Sequence, residues 1–264
     1  MRSQLKSIDD RIRALIEADP FPDRVAPPCL EKAMRAYPLR GGKRLRPALL
    51  LWTCGAAGGA PDDAWPAALA VELFHSWTLI HDDIIDEDAT RRNGPACHVL
   101  LQDAIRELPA GSQHRRDLFG RNMAILAGDL VHAWSLDALA RLQNGNLSSH
   151  TLLDLLHRMN GWLTTSLISG EALDVELELR QNPSAEDIMN MMRGKTGALL
   201  RFCAETGAQI ALDRCDHEYS TVQAAGQLAD ACGLAFQIRD DILGLFGDPE
   251  KLGKPVGGDI REGK

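Results

Sequence analysis

The sequence predicts an all-α protein, a helical bundle. Apolar residues return with a period near 3.6, Ala and Leu dominate over short β-branched runs, and strict alternation over a strand length is hard to find. At 264 residues, with 45% hydrophobic and 25% charged content, the chain can bury a sizeable core, and on size alone one large domain is as expected as two.

Clusters of helix breakers set the helix boundaries in order. Ala26-Pro27-Pro28 ends the first helical stretch, and Gly41-Gly42 forms a flexible turn before the next. Gly55 to Pro61 precedes a long apolar run, Ala64 to Ile85. Further breaks fall at Arg92 to Pro95, Pro109 to Ser112, Asn144 to Asn146 and Asn182-Pro183. Ser184 with Asp187 three residues later reads as a capping box opening a helix that carries Met189, Met191, Met192 and Leu199. A second apolar run, Leu228 to Ile238, leads into Asp240-Asp241. No break is long enough to be an interdomain linker, and nothing repeats except the two aspartate clusters.

The net charge of -8 and the lack of a long basic tract argue against nucleic acid as the main partner. Six cysteines without CxxC spacing read as buried free thiols in a reducing cytoplasm rather than a zinc site. Neither a signal-type N-terminus nor an apolar run of about 18 residues is present, so no membrane insertion is expected.

Chemistry concentrates at the ends of the two apolar runs. His81-Asp82-Asp83-Ile84-Ile85-Asp86-Glu87-Asp88 puts five acidic side chains into seven residues. Carboxylates three and four apart repel on a helix face, and negative charge at a helix C-terminus opposes the macrodipole, so a cation is called for. On a wheel, Asp82 and Asp86 lie about 40° apart, whereas Asp83 lies about 60° beyond Asp86. His75 shares the face of Asp82, with Thr78, Phe74 and Val71 forming an apolar or neutral lining on that side. Two such clusters suggest a polynuclear Mg2+ site. Cations accompany them: Lys43, Arg44 and Arg46 in GGKRLRP, Arg91-Arg92, Lys195 beside Thr196, then Lys254 and Lys264, all suited to diphosphate oxygens.

GGKRLRP at 41–47, HDDIIDEDATRRNGPACH at 81–98, GKT at 194–196 and FQIRDDILGLFGDPEKLGKPVGGDIREGK at 236–264 together resemble the trans-polyprenyl diphosphate synthases. This head-to-tail prenyl transferase family includes the farnesyl and geranylgeranyl diphosphate synthases. The resemblance implies a single-domain isoprenoid-synthase bundle around a central active-site cavity, in which Asp82, Asp83 and Asp86, with Asp240 and Asp241, hold three Mg2+ on an allylic diphosphate. It implies that Arg91, Lys195 and Lys254 grip that diphosphate, with Thr196 and Gln237 adding neutral hydrogen bonds and Lys264 nearby. Isopentenyl diphosphate would sit against Lys43, Arg46, His75 and Arg92. Trp77 and Thr78 would bear on product length, with a C20 product favoured over C15. A homodimer is also implied.

The family usually has a third aspartate where this chain has Gly244, and usually continues for several helices past Lys264, so the domain is expected to lack its C-terminal helices. Three alternatives differ from the coupling enzyme. A phosphohydrolase could use His81-Asp82 but needs further histidines at helical spacing. A class I terpene cyclase has no use for Lys43, Arg46 and Arg92. A catalytically weak regulatory subunit would fit Gly244 but not the intact first cluster.

Overall fold

The computed structural model describes residues 1–105 and 112–246. Helices carry most of them, as the 3.6-residue period predicts. Two compact units form, one from Met1–Leu51 with Asp62–Asn146, the other from Trp52–Pro61 with Leu147–Lys264.

In the first unit, α1 (Arg2–Glu17), α2 (Pro28–Leu39) and the start of α3 (Leu45–Ala56) precede α4 (Trp65–Ile85). A two-residue ribbon, β1 (Thr90–Arg91) with β2 (Gly94–Pro95), then leads to α5 (Cys97–Gln102) and α6 (Gln113–Ala140). The central packing is α4 on α6, with α5 and α2 also against α6. Phe74, Leu73 and Ile80 of α4, Tyr37 of α2 and Trp134 of α6 are fully buried there. A helix buried on nearly every side needs apolar residues all round, which is why the Ala64 to Ile85 run lacks a polar stripe.

The break read at Arg92 to Pro95 is an antiparallel hairpin, Thr90 opposite Pro95 and Arg91 opposite Gly94. Its two turn residues, Arg92 (φ 51°) and Asn93 (φ 59°), are both left-handed, as a type I′ turn requires. Asn takes that conformation readily, whereas Arg seldom does.

Among the described residues one helix, Gln113–Asn144, is long and apolar enough to cross a membrane by length and hydropathy alone. The sequence reading found no such run, because Arg, Asp and His interrupt it. Its buried face, Gly120, Ala124, Ala127, Gly128, Val131 and Trp134, packs within the first unit.

The second unit contains α7 (Ser149–Arg158), α8 (Thr164–Leu177), α9 (Ala185–Met192), α10 (Ala198–Leu212) and α11 (Ser220–Phe246). Five-residue π-helical turns, Met159–Leu163 and Arg193–Gly197, join α7 to α8 and α9 to α10. The capping box is present: Asp187 N donates to Ser184 Oγ at 3.1 Å, and Ser184 N donates to Asp187 Oδ2 at 3.1 Å. The second apolar run does not end at its aspartates, since α11 continues to Phe246. All six cysteines are free thiols, but Cys215 and Cys232 are exposed, unlike the buried thiols expected.

The α10–α11 packing rests on a buried charge. Glu205 of α10 is fully buried, pairs with Arg158 and takes a 2.8 Å bond from Arg201. Gly226 of α11 lies against its carboxylate, where a Cβ would collide. Gly226→Ala should therefore lower stability by about 1–3 kcal/mol through overpacking. Urea unfolding measures this, and an unchanged midpoint would show that Glu205 can step aside.

Candidate active site

The last turn of α4 sorts three aspartates by face. Asp82 and Asp86 are half-exposed, while Asp83 is fully buried. Asp86 is the C-cap, its N–H bonding Asp82 O at 2.8 Å, and Glu87 (φ 57°) turns the chain away. Asp82 and Asp86 are hard oxygen donors one turn apart. Among the described residues no three His, Cys, Asp or Glu form a metal cage. Mg2+ seldom needs one, because it commonly takes one or two carboxylates together with water and substrate phosphate oxygens, and this pair fits that requirement.

Asp83, which the resemblance places at the metal, has other partners here. Its Oδ1 accepts from Arg91 Nε at 2.7 Å and from Arg91 Nη2, and its Oδ2 accepts from the Tyr37 hydroxyl. The reason is geometric, since one residue past Asp82 the helix has turned about 100°, toward α2. Burial raises the Asp83 carboxyl above its ordinary value, against the opposing pull of Arg91 and Tyr37. Arg91 also reaches Asp88 at 2.8 Å. Burial works against its charge, yet Asp83 and Asp88 keep it firmly protonated.

The three cations of GGKRLRP separate. Lys43 is exposed and Arg46 half-buried, but Arg44 is buried and serves the protein itself. Arg44 bonds Asp9 at 2.7 Å, the Pro38 carbonyl at 2.6 Å, and Glu72 of α4. Arg92 lies 3.6 Å from the same Glu72 and donates to the Tyr37 carbonyl at 3.1 Å.

His75 stands among these guanidiniums. Burial, then Arg46, Arg92, Arg91 and Arg44, hold its pKa well below the ordinary histidine value. Trp77 does not share the Asp82 face. It packs toward α6, its ring 4.4 Å from His132 and 4.9 Å, edge-on, from Phe74. Thr78 is on the Asp82 side, bonded to His75 O at 2.9 Å.

In the second unit Lys195 and Thr196 ride on the π turn that follows α9. Lys195 Nζ contacts Glu171 at 2.9 Å and Asp174 at 2.6 Å, both on α8. Gly170 and Gly194 allow this, because a Cβ on either would strike the opposing backbone. Thr196 donates to Gln237 Oε1 at 2.9 Å, one turn of α11 before the exposed Asp240. The backbone of Asp241 is helical, but its side chain, Lys254 and Lys264 lie outside what the structure describes. Sequence reasoning missed Tyr37, Glu72, Glu171 and Asp174. The spacing of Glu171 and Asp174 in an apolar stretch offered a signal, whereas nothing local marks Tyr37.

The polyprenyl synthetase family profile matches residues 27–264. The chain belongs to the polyprenyl synthetase family. A short chain isoprenyl diphosphate synthase of Methanocaldococcus jannaschii is 38% identical over 260 residues, 98% of this chain and 68% of that relative. The crystal structure of the geranylgeranyl pyrophosphate synthetase from Pyrococcus horikoshii is similar, at TM-score 0.78 and 36% identity over 98% of this chain and 69% of that one. So is the Corynebacterium glutamicum geranylgeranyl pyrophosphate synthase, complexed with isoprenyl diphosphate and magnesium, at TM-score 0.82 and 32% identity over 98% and 74%. These neighbours also bear out the all-α bundle.

A histidine with a depressed pKa makes stability fall with acid. Below about pH 6.5 the unfolded chain takes up a proton that folded His75 refuses, so folding loses ground as pH drops. In ligand-free protein His75→Gln should remove up to about 1.4 kcal/mol per pH unit of that slope between pH 5 and 7. Urea midpoints across the range test this, and identical slopes would refute it.

Proposed function

We propose that the chain is a Mg2+-dependent short-chain trans-prenyl transferase, joining isopentenyl diphosphate to an allylic diphosphate to give geranylgeranyl diphosphate (C20) or farnesyl diphosphate (C15). One observation carries this reading: two half-exposed aspartates in the last turn of α4 are followed by a hairpin whose two arginines are anchored on that helix, Arg91 on Asp83 beside them and Arg92 facing Glu72. Family membership and the relatives' names support it.

Asp82, Asp86 and Asp240, with Asp241, would hold the Mg2+ ions, three in all with substrate bound. Magnesium supplies charge neutralisation of the departing diphosphate. Arg91 and Lys195 bind that diphosphate, joined by Lys254, and strengthen as charge builds on the leaving oxygen. Thr196 and Gln237 orient it, with Lys264 close by. Lys43, Arg46, His75 and Arg92 bind isopentenyl diphosphate, and a neutral His75 offers one donor and one acceptor there. The allylic C–O bond would break as diphosphate leaves, the alkene of isopentenyl diphosphate would form a C–C bond to the resulting allylic cation, and the departed diphosphate would take the proton whose loss restores a double bond. Asp83 acts through Arg91 rather than on a metal.

Residues 1–264 work as one polyprenyl synthase domain on this reading, in the cytoplasm and as a homodimer. The exposed Leu118, Ile125 and Leu126 on one side of α6 support a subunit interface. Gly244 keeps a second reading open, a weakly catalytic regulatory subunit.

Radiolabelled isopentenyl diphosphate with Mg2+ and dimethylallyl, geranyl or farnesyl diphosphate tests the proposal, with products sized by chromatography. Incorporation is expected, whereas none with any primer would favour the regulatory subunit. Asp82→Asn and Asp240→Asn should each cut turnover about a hundredfold or more while leaving thermal melts intact. Unchanged turnover in both would end the metal assignment. Trp77→Ala should lengthen the product, and an unchanged distribution would place the floor of the chain pocket elsewhere.

A further inference from the structure

Two acidic residues of α4 lie on a face that the aspartate cluster does not use. Glu72 and Asp83 are eleven positions apart, so they return to within about 20° of each other on the helix, some 80–100° from Asp82. Glu72 is 2% exposed and Asp83 0%. Each takes one arginine of the hairpin: Asp83 holds Arg91, and Glu72 faces Arg92 at 3.6 Å while also taking Arg44.

Tyr37 of α2 touches both halves. Its hydroxyl donates to Asp83 and accepts from Cys97 N at 2.8 Å, while its carbonyl accepts from Arg92 at 3.1 Å. With both functions of its hydroxyl used, the ring is fixed, and it fixes Asp83 in turn. Arg44 (φ 48°) and Arg92 (φ 51°), the two cations that meet Glu72, are both in the left-handed region, where arginine is strained. Such strain persists only where surroundings over-determine it.

Pairs that only brace the fold can stay partly open, as Arg141 does on Asp19 and Arg201 on Glu205, or be sealed. In the second unit Arg158 is sealed: buried itself, it spends its guanidinium on Glu205 and on Gln209 at 2.7 Å. Arg91 and Arg92 instead keep 29% and 18% of their side chains exposed. Anchored by buried carboxylates yet open to solvent, they are oriented for a ligand before it arrives. Less ordering remains to oppose binding.

We propose that Tyr37 and Glu72 are positioning residues for the two diphosphates: Tyr37, through Asp83, sets Arg91 for the allylic diphosphate, and Glu72 sets Arg92 for isopentenyl diphosphate. The assignment of substrates to arginines rests on the prenyl-transfer reading above. Neither residue touches substrate.

Tyr37→Phe and Glu72→Gln test this with little change in volume. Tyr37→Phe should raise KM for the allylic diphosphate about tenfold and leave KM for isopentenyl diphosphate and kcat within about threefold. Glu72→Gln should show the opposite pattern of KM values. Calorimetric titration with inorganic pyrophosphate and Mg2+ should show weaker binding in both variants, independently of turnover. Should Tyr37→Phe fail to fold, Asp83→Asn interrupts the same relay and should show the same KM pattern. With thermal melts intact, equal changes in both KM values, or no change in KM or pyrophosphate affinity, would overturn the proposal. A wild-type chain that incorporates no isopentenyl diphosphate would instead refute the prenyl-transfer reading, and the pyrophosphate titration would still decide whether Tyr37 and Glu72 organise an anion site.

Discussion

A carboxylate removed from water has to be met by cations or hydrogen-bond donors, because the loss of hydration otherwise exceeds what the fold can supply. In the first unit α4 carries two such carboxylates, Glu72 and Asp83, and several other elements are arranged around them. The end of α2 supplies Tyr37, the glycine turn delivers Arg44, and the hairpin brings Arg91 and Arg92. Strands of two residues cannot stabilise a hairpin alone. This one is tied down by its guanidiniums and by Arg40, which donates to the Pro95 carbonyl at 2.7 Å and the Arg91 carbonyl at 3.2 Å.

The helical period then gives the aspartate cluster two kinds of work. Residues four apart return to nearly the same face, so Asp82 and Asp86 stay together, whereas Asp83 is carried about 100° round. The same short stretch of sequence therefore provides both the half-exposed pair proposed to bind the cation and an internal anchor.

Much of this was legible. The apolar run read as Ala64 to Ile85 is α4, Trp65–Ile85, because Pro66 in its first turn and the acidic cluster at its end are local signals. The wheel turned Asp83 aside and placed Trp77 away from Asp82, as the packing shows. The partners were not legible. Tyr37 lies 46 residues from Asp83, and long-range pairing leaves no periodic trace. The different fates of Lys43, Arg44 and Arg46 depend on a left-handed backbone at Arg44 and a glutamate on another helix. In the second unit, Thr196 and Gln237 were read as neutral partners of one ligand, and they bond each other. The π turn beneath Lys195 was hidden because it depends on the close approach of Gly170 and Gly194 backbones.

On the proposed reading, the arrangement of charge also bears on what the first unit would accept. A bare anion approaching Arg91, held on Asp83, would encounter the negative field of Asp82 and Asp86 at the same end of α4. A bare cation drawn to those aspartates would encounter the guanidiniums, which add to burial in depressing the pKa of His75. A metal–diphosphate complex, as proposed, carries both signs, and would offer the ion to the carboxylates and the oxygens to the arginines. Had Asp83 been exposed, the excess negative charge would favour the cation alone; had it been absent, Arg91 would lose its anchor. Burying that one carboxylate against Arg91 and Tyr37 takes it off the exposed acidic face, and a neutral His75 would add hydrogen bonds without adding charge.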